Sequence, residues 1–149
     1  VEGNGRETLP PSPPLQQLAI ETLSGGHTAA LLLGMAGRHH WSVSAESHPA
    51  DRLVQFDVAC RARVEERGHL HSVYRMLGPW QLSADATVAQ WVGPGGCLRC
   101  VASSHPDCTT TLHVERDQLV IGPAQLGTAS THRWRYELVF LEHLPTPRP

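Results

Sequence analysis

The stretch Leu53-Val54-Gln55-Phe56-Asp57-Val58-Ala59-Cys60-Arg61-Ala62-Arg63-Val64-Glu65 decides the fold class. Val54, Phe56, Val58, Cys60, Ala62 and Val64 recur at every second position. Gln55, Asp57, Arg61, Arg63 and Glu65 fill the positions between, with Ala59 the single break. Successive side chains of an extended strand point to opposite faces, so this pattern gives one dry face and one wet face. A helix would scatter the same arginines around its cylinder.

The same period recurs on both sides. Trp80, Leu82, Ala84, Ala86, Val88 and Val92 alternate with Gln81, Ser83, Asp85 and Thr87, which predicts a strand over 80–92. Trp134, Tyr136, Leu138 and Phe140 alternate with Arg133, Arg135 and Glu137, so a closing strand should turn its aromatics inward and its arginines to solvent. Ser24-Gly25-Gly26 is a turn signal between strands over 18–23 and 28–33. Ala29 to Leu33 is apolar at every position, as in a central strand buried on both faces. Trp41, Val43 and Ala45 share one face of a strand over 40–45. Segments 110–115 and 118–122 predict a hairpin around Arg116-Asp117, without the glycine such turns prefer.

One segment carries both periods. Leu70, Val73, Tyr74 and Leu77 have helical spacing, yet Gly68 precedes them and Gly78-Pro79 follows. That punctuation favours a strand paired with the preceding one, and a short helix is the alternative. Together these elements predict an all-β fold of about eight to ten strands, an antiparallel β-sandwich, with a closed β-barrel as the alternative.

The ends differ in composition. Residues 1–14 include Pro10-Pro11-Ser12-Pro13-Pro14, and 144–149 place a proline at every second position. Proline withholds a backbone donor and favours extended polyproline geometry. Segment 1–14 therefore reads as disordered, 15–143 as a single β-rich domain, and 144–149 as a tail or linker. A chain of 149 residues fits one domain.

Composition narrows the function classes. All twelve basic side chains are arginine, and the net charge is −2. No global basic field would draw nucleic acid or an anionic membrane. Arg61, Arg63 and Arg67, and Arg133 and Arg135 around Trp134, read as solvated strand faces. No apolar run reaches the roughly 18–20 residues that span a bilayer. The even cysteine count and the opening at Val1 favour a mature or excised segment in a secreted or lumenal setting, with the cytoplasm as the alternative.

Four cysteines and one histidine form the main candidate constellation. Cys97, Cys100, His105 and Cys108 are spaced C-x2-C-x4-H-x2-C, after Gly93-Pro94-Gly95-Gly96. Thiolates and imidazole at such intervals can close a tetrahedron around zinc. The first three positions resemble a CCHC zinc knuckle. The last interval has two residues where that family has four, and Pro106 restrains the histidine. The competing expectation is disulfides, with Cys60 stapled to Cys97, Cys100 or Cys108, and four cysteines allow three connectivities. A redox Cys97–Cys100 pair would need a helix start in a βαβ context, which the pattern lacks. Ten histidines occur, and His69 and His71 would share a strand face as a pH-responsive pair.

Catalytic motifs are missing. There is no G-x-S-x-G, P-loop or H-E-x-x-H pattern. His113-Val114-Glu115 follows the cysteine pair, whereas a zinc deaminase needs that element before it. A patterned core, no catalytic motif and Pro-rich ends imply a non-enzymatic module that binds another protein, with no cofactor. The alternatives are a β-barrel carrier with Phe56, Val58 and Leu82 around an apolar ligand, and a zinc-stabilised intracellular adaptor.

Overall fold

The computed structural model describes residues 15–36, 39–61, 70–105, 107–124 and 131–142. The two expected terminal segments, and the decisive stretch beyond Arg61, lie outside these residues. Among the described residues twelve strands form: β1 (Gln17–Thr22), β2 (Thr28–Ala36), β3 (His39–His48), β4 (Leu53–Arg61), β5 (Ser72–Arg75) and β6 (Gln81–Leu82), then β7 (Val88–Gly93), β8 (Gly96–Ala102), β9 (Ser104–His105), β10 (Cys108–Glu115), β11 (Gln118–Pro123) and β12 (Thr131–Leu141). The count exceeds the expected eight to ten because β6 and β9, two residues each, are too short to show a period. A single 3-10 turn, Pro49–Asp51, stands where helix occurs among the described residues. No helix there is long and apolar enough to cross a membrane.

All pairings are antiparallel. Eight strands form one sheet in the order β1-β2-β3-β4-β12-β8-β7-β6, and four form a second in the order β5-β11-β10-β9. The sheets do not close on each other, so the barrel alternative gives way to the sandwich. The residues proposed to line a barrel cavity behave accordingly. Val58 is buried in the packed core, Phe56 stacks on Tyr136, and Leu82 is exposed.

The chain's last strand lies in the middle of the large sheet. β12 pairs with β4 over Thr131–Val139 and with β8 over Tyr136–Leu141. Its register aligns Val43, Val58 and Trp134 on one rung, and Trp41, Cys60 and His132 on the next. These side chains face the small sheet, whose Leu112, Leu119 and Ile121 complete the core. Trp41 meets Trp134 edge-on at 5.8 Å, and Trp134 Nε1 donates to Ser72 Oγ at 3.2 Å. Burying each such aromatic contributes roughly 4–6 kcal/mol before entropy is counted. Trp134 and Tyr136 are inside as expected, while Phe140 at the strand end is exposed.

Three further expectations are corrected. The run 80–92 is a hairpin, β6 and β7, because Ser83 and Asp85 capture the backbone between them. Ser83 Oγ donates to Asp85 Oδ1 at 2.6 Å, Thr87 N donates to the same oxygen at 3.2 Å, and Val88 N donates to Ser83 Oγ at 3.0 Å. Such local bonds compete with the strand ladder. Segment 70–77 does contain a strand, yet β5 pairs with β11, not with β4. Finally, β2 is second from an edge and exposes Leu31 and Leu33, because their register with Ser44 and Ser42 puts them on the face of the large sheet turned away from the four-stranded sheet. The Gly93–Gly96 segment makes the β7–β8 turn. A Cβ on Gly96 would stand 2.6 Å from the Leu141 carbonyl oxygen, so glycine is required there.

Candidate functional site

The face of the large sheet turned away from the core carries a groove of about 720 Å³. Two adjacent rungs build it. One runs Gln17–Leu33–Ser42–Ala59–Arg133 across β1, β2, β3, β4 and β12, and the other runs Ala19–Leu31–Ser44–Asp57–Arg135. Residues in register on neighbouring strands share a face, so each rung is a row of side chains. The floor is small, with Ser42, Ser44 and Ala59 leaving space that larger side chains would fill. One wall is apolar, from Leu31 and Leu33, and the other is charged.

The charged wall is a three-membered ion cluster. Arg133 donates from Nε to Asp57 Oδ1 at 2.6 Å and from Nη2 to Oδ2, and Arg135 Nε donates to Oδ2 at 2.7 Å. Burial alone would raise the Asp57 carboxyl; the hydrogen bonds and charges of Arg133, then Arg135, outweigh it and hold it below its ordinary value. Two guanidiniums against one carboxylate leave this wall with one net positive charge. Arg133 is about two-fifths exposed, at 41%, and opens toward the groove.

The apolar wall belongs to an uncovered wing. Leu18 and Ile20 of β1 are 61% and 67% exposed, and Leu33 and Met35 of β2 about half. Among the described residues no strand pairs with the outer edge of β1. The Gln16 side-chain amide continues its inner ladder, accepting from Met35 N at 3.3 Å and donating to Met35 O at 3.5 Å.

The sequence-derived candidates are distributed elsewhere. All four cysteines are buried and carry free thiols. Cys60 lies on β4 opposite His132, and Cys100 on β8 opposite Leu138. Those levels are six residues apart along β12, about 20 Å, too far for a bridge. Cys97 lies one residue beyond Phe140's level, opposite Leu141, farther still from Cys60. Cys97 and Cys100 are three apart on one strand and point to opposite faces, so they neither bridge nor share a metal. The four proposed zinc ligands Cys97, Cys100, His105 and Cys108 do not converge; among the described residues the converging group is His27, Glu46 and His48. His105 Nδ1 instead accepts from Asp107 N at 3.2 Å. Burial pushes the Cys60 and Cys100 thiols up to about 12. His71 is half-buried beside Gly122, and its proposed partner His69 lies outside the described residues.

Leu31, Leu33, Ser42 and Ser44 were not legible as a site. The one available signal was an unbroken apolar run, Ala29 to Leu33, beside the Ser42-x-Ser44 alternation.

No family model and no curated protein matches the chain. Among solved structures, the fold is similar to part of heparinase III, with a TM-score of 0.54 and 6% identity, over 86% of this chain and 21% of that one. The chain thus spans about a fifth of the length of that protein, and at this identity the likeness is one of fold.

Proposed function

We propose that this chain is a non-enzymatic binding module whose groove takes an extended segment of another protein. The observation that carries the reading is the amphipathic trough itself, with Leu31 and Leu33 on one side, a floor of Ser42, Ser44 and Ala59, and Arg133 on the other. Such a trough suits a segment that presents apolar side chains next to an acidic one. Pockets that bind selectively combine an apolar lining with a few placed polar groups. The arginine wall supplies the acidic preference, since a guanidinium pairs with carboxylate through two parallel bonds.

The test is selection from a displayed random-peptide library against the full chain. The reading predicts selected peptides with apolar residues beside aspartate or glutamate. It also predicts that Leu33→Asp and Arg133→Ala each weaken them by about tenfold or more, equivalent to about 1.4 kcal/mol. Peptides of random composition, or binding indifferent to both substitutions, would remove the reading.

The likeness to a section of heparinase III favours a second reading, in which the same arginine wall takes an acidic sugar as part of a longer chain. Binding of a sulfated oligosaccharide that depends on Arg133 and not on Leu33 would select it over the peptide reading.

A further inference from the structure

At the end of the β2–β3 ladder, on the same sheet face as the groove and beginning one rung beyond it, two imidazoles and a carboxylate meet. We infer that His27, Glu46 and His48 form a binding site for a zinc-class divalent metal ion. Glu46 and His48 are two apart on β3 and share a face. The register pairs Thr28 with Ser47 and Ala29 with Glu46, which brings His27 beside His48 at the next step. One donor atom from each of the three lies within 4.8 Å of the others.

The local geometry suits a small ion. His48 Nε2 is 3.3 Å from Glu46 Oε1. Donors about 2.0–2.1 Å from a tetrahedral zinc stand about 3.3 Å from each other. The His27 and His48 rings sit 4.5 Å apart with their planes tilted by 51°. His27 Nδ1 is buried without a hydrogen-bond partner, and His48 Nε2, also buried, has the Glu46 carboxylate at 3.3 Å but not in hydrogen-bonding geometry. A buried nitrogen without a good hydrogen bond is unfavourable, and two in one place ask for a shared acceptor of lone pairs.

The turn before β2 is built to present His27. Gly25 and Gly26 adopt φ of 86° and 80°, in the left-handed region, and Leu23 N donates to His27 O at 2.8 Å. A Cβ on Gly25 would stand 3.3 Å from the His27 ring, so glycine also leaves the ring its room. Glu21 lies on the same sheet face, one rung inward opposite Ala29, and adds negative potential for an approaching cation. Two imidazoles in three donors favour a zinc-class ion over calcium or magnesium, which take oxygen ligands. Three protein donors leave one tetrahedral position for water. A bound ion ties the β1–β2 turn to the end of β3 and so braces the uncovered wing.

The experiment uses the full chain, stripped with chelator and titrated with Zn²⁺ by calorimetry, then with Co²⁺ by visible absorption. The expected result is one ion per chain, a tetrahedral cobalt spectrum and a raised thermal midpoint. His27→Ala, His48→Ala and Glu46→Gln should each weaken binding by more than about tenfold, since even residues that merely orient a ligand cost that much. His105→Ala and His113→Ala should leave it unchanged. Circular dichroism of each metal-free variant establishes that it is folded, and Glu46→Gln keeps the shape of the site if an alanine variant is not. Absence of binding in the folded chain, binding undiminished in His27→Ala and Glu46→Gln, or binding lost in His105→Ala would overturn the assignment.

Discussion

The hydroxyls of Tyr74 and Tyr136 lie 2.8 Å apart and share a hydrogen bond that joins the small sheet to the large one. The rings meet edge-on, with centroids 6.0 Å apart. Tyr136 also has the Ser72 hydroxyl within reach, so the two partners are not equivalent. Tyr74→Phe should cost about 1 kcal/mol, the net worth of one hydrogen bond. Tyr136→Phe should cost more, about 1–3 kcal/mol, because it strands the Tyr74 hydroxyl in the interior. Urea unfolding of both variants checks the order, and equal or reversed costs would contradict it.

Burial makes the fold sensitive to alkali. It raises the Tyr136 phenol from 10.0 to about 12 and the Cys60 and Cys100 thiols from 9.0 to about 12. The folded state holds each proton more tightly than the unfolded chain does. Their stabilising contribution is therefore full below the unfolded values and is lost as pH climbs from about 9 through about 12. Urea midpoints should stay level to about pH 8.5 and then fall. Cys60→Ala should show a shallower fall than the parent chain.

Asp57 gives the opposite slope at the acid end. Its carboxyl is held below the ordinary 3.8 in the folded state. Its contribution is present above that value and disappears as pH falls through the lower folded value. Asp57→Asn leaves Arg133 and Arg135 facing each other without their shared counter-charge. The variant should be less stable at pH 7 by about 1–3 kcal/mol and flatter in its stability as pH falls below the ordinary carboxylate value. Denaturation across that pH range is the measurement, and an unchanged acid slope would count against the cluster.

Thiol counting separates the free-cysteine structure from any bridged form. A disulfide-exchange reagent should react slowly with all four buried thiols of the native chain at neutral pH, because burial blocks access. In denaturant without reductant all four should react. Zero reactive thiols in denaturant would show two bridges.

The β6–β7 turn holds a non-glycine residue in the left-handed region, Ala86 at φ 55°. That conformation costs an L-residue roughly 1–2 kcal/mol, and glycine's greater chain entropy cancels part of the relief. Ala86→Gly should raise stability by about 0.5–1 kcal/mol. A lowered thermal midpoint would contradict the turn.

The strands β3, β4, β10, β11 and β12 were legible because side-chain alternation is local. The hairpin at Arg116-Asp117 was legible for the same reason, with Arg116 taking the left-handed place of the missing glycine at φ 56°. The break within 80–92 was not, because it rests on Ser83 and Asp85 hydroxyl and carboxylate bonds that an alternating sequence does not advertise. The strand through Cys97 and Cys100 was hidden by ligand-like spacing, which on extended backbone sends the two thiols to opposite faces.

By itself, the stretch from Leu53 determined that the protein is β and which face of that strand is dry, since an extended backbone alone sets where alternate side chains point. The tertiary structure decided what those faces meet. It set β12 between β4 and β8, kept Cys60 about 20 Å along the sheet from Cys100, and left β1 and β2 beyond the reach of the small sheet. The groove follows from register that sets β12 beside β4, far apart in sequence, and the His27–Glu46–His48 cluster from register between the consecutive strands β2 and β3. Register is a pairing between segments, and no single segment carries it.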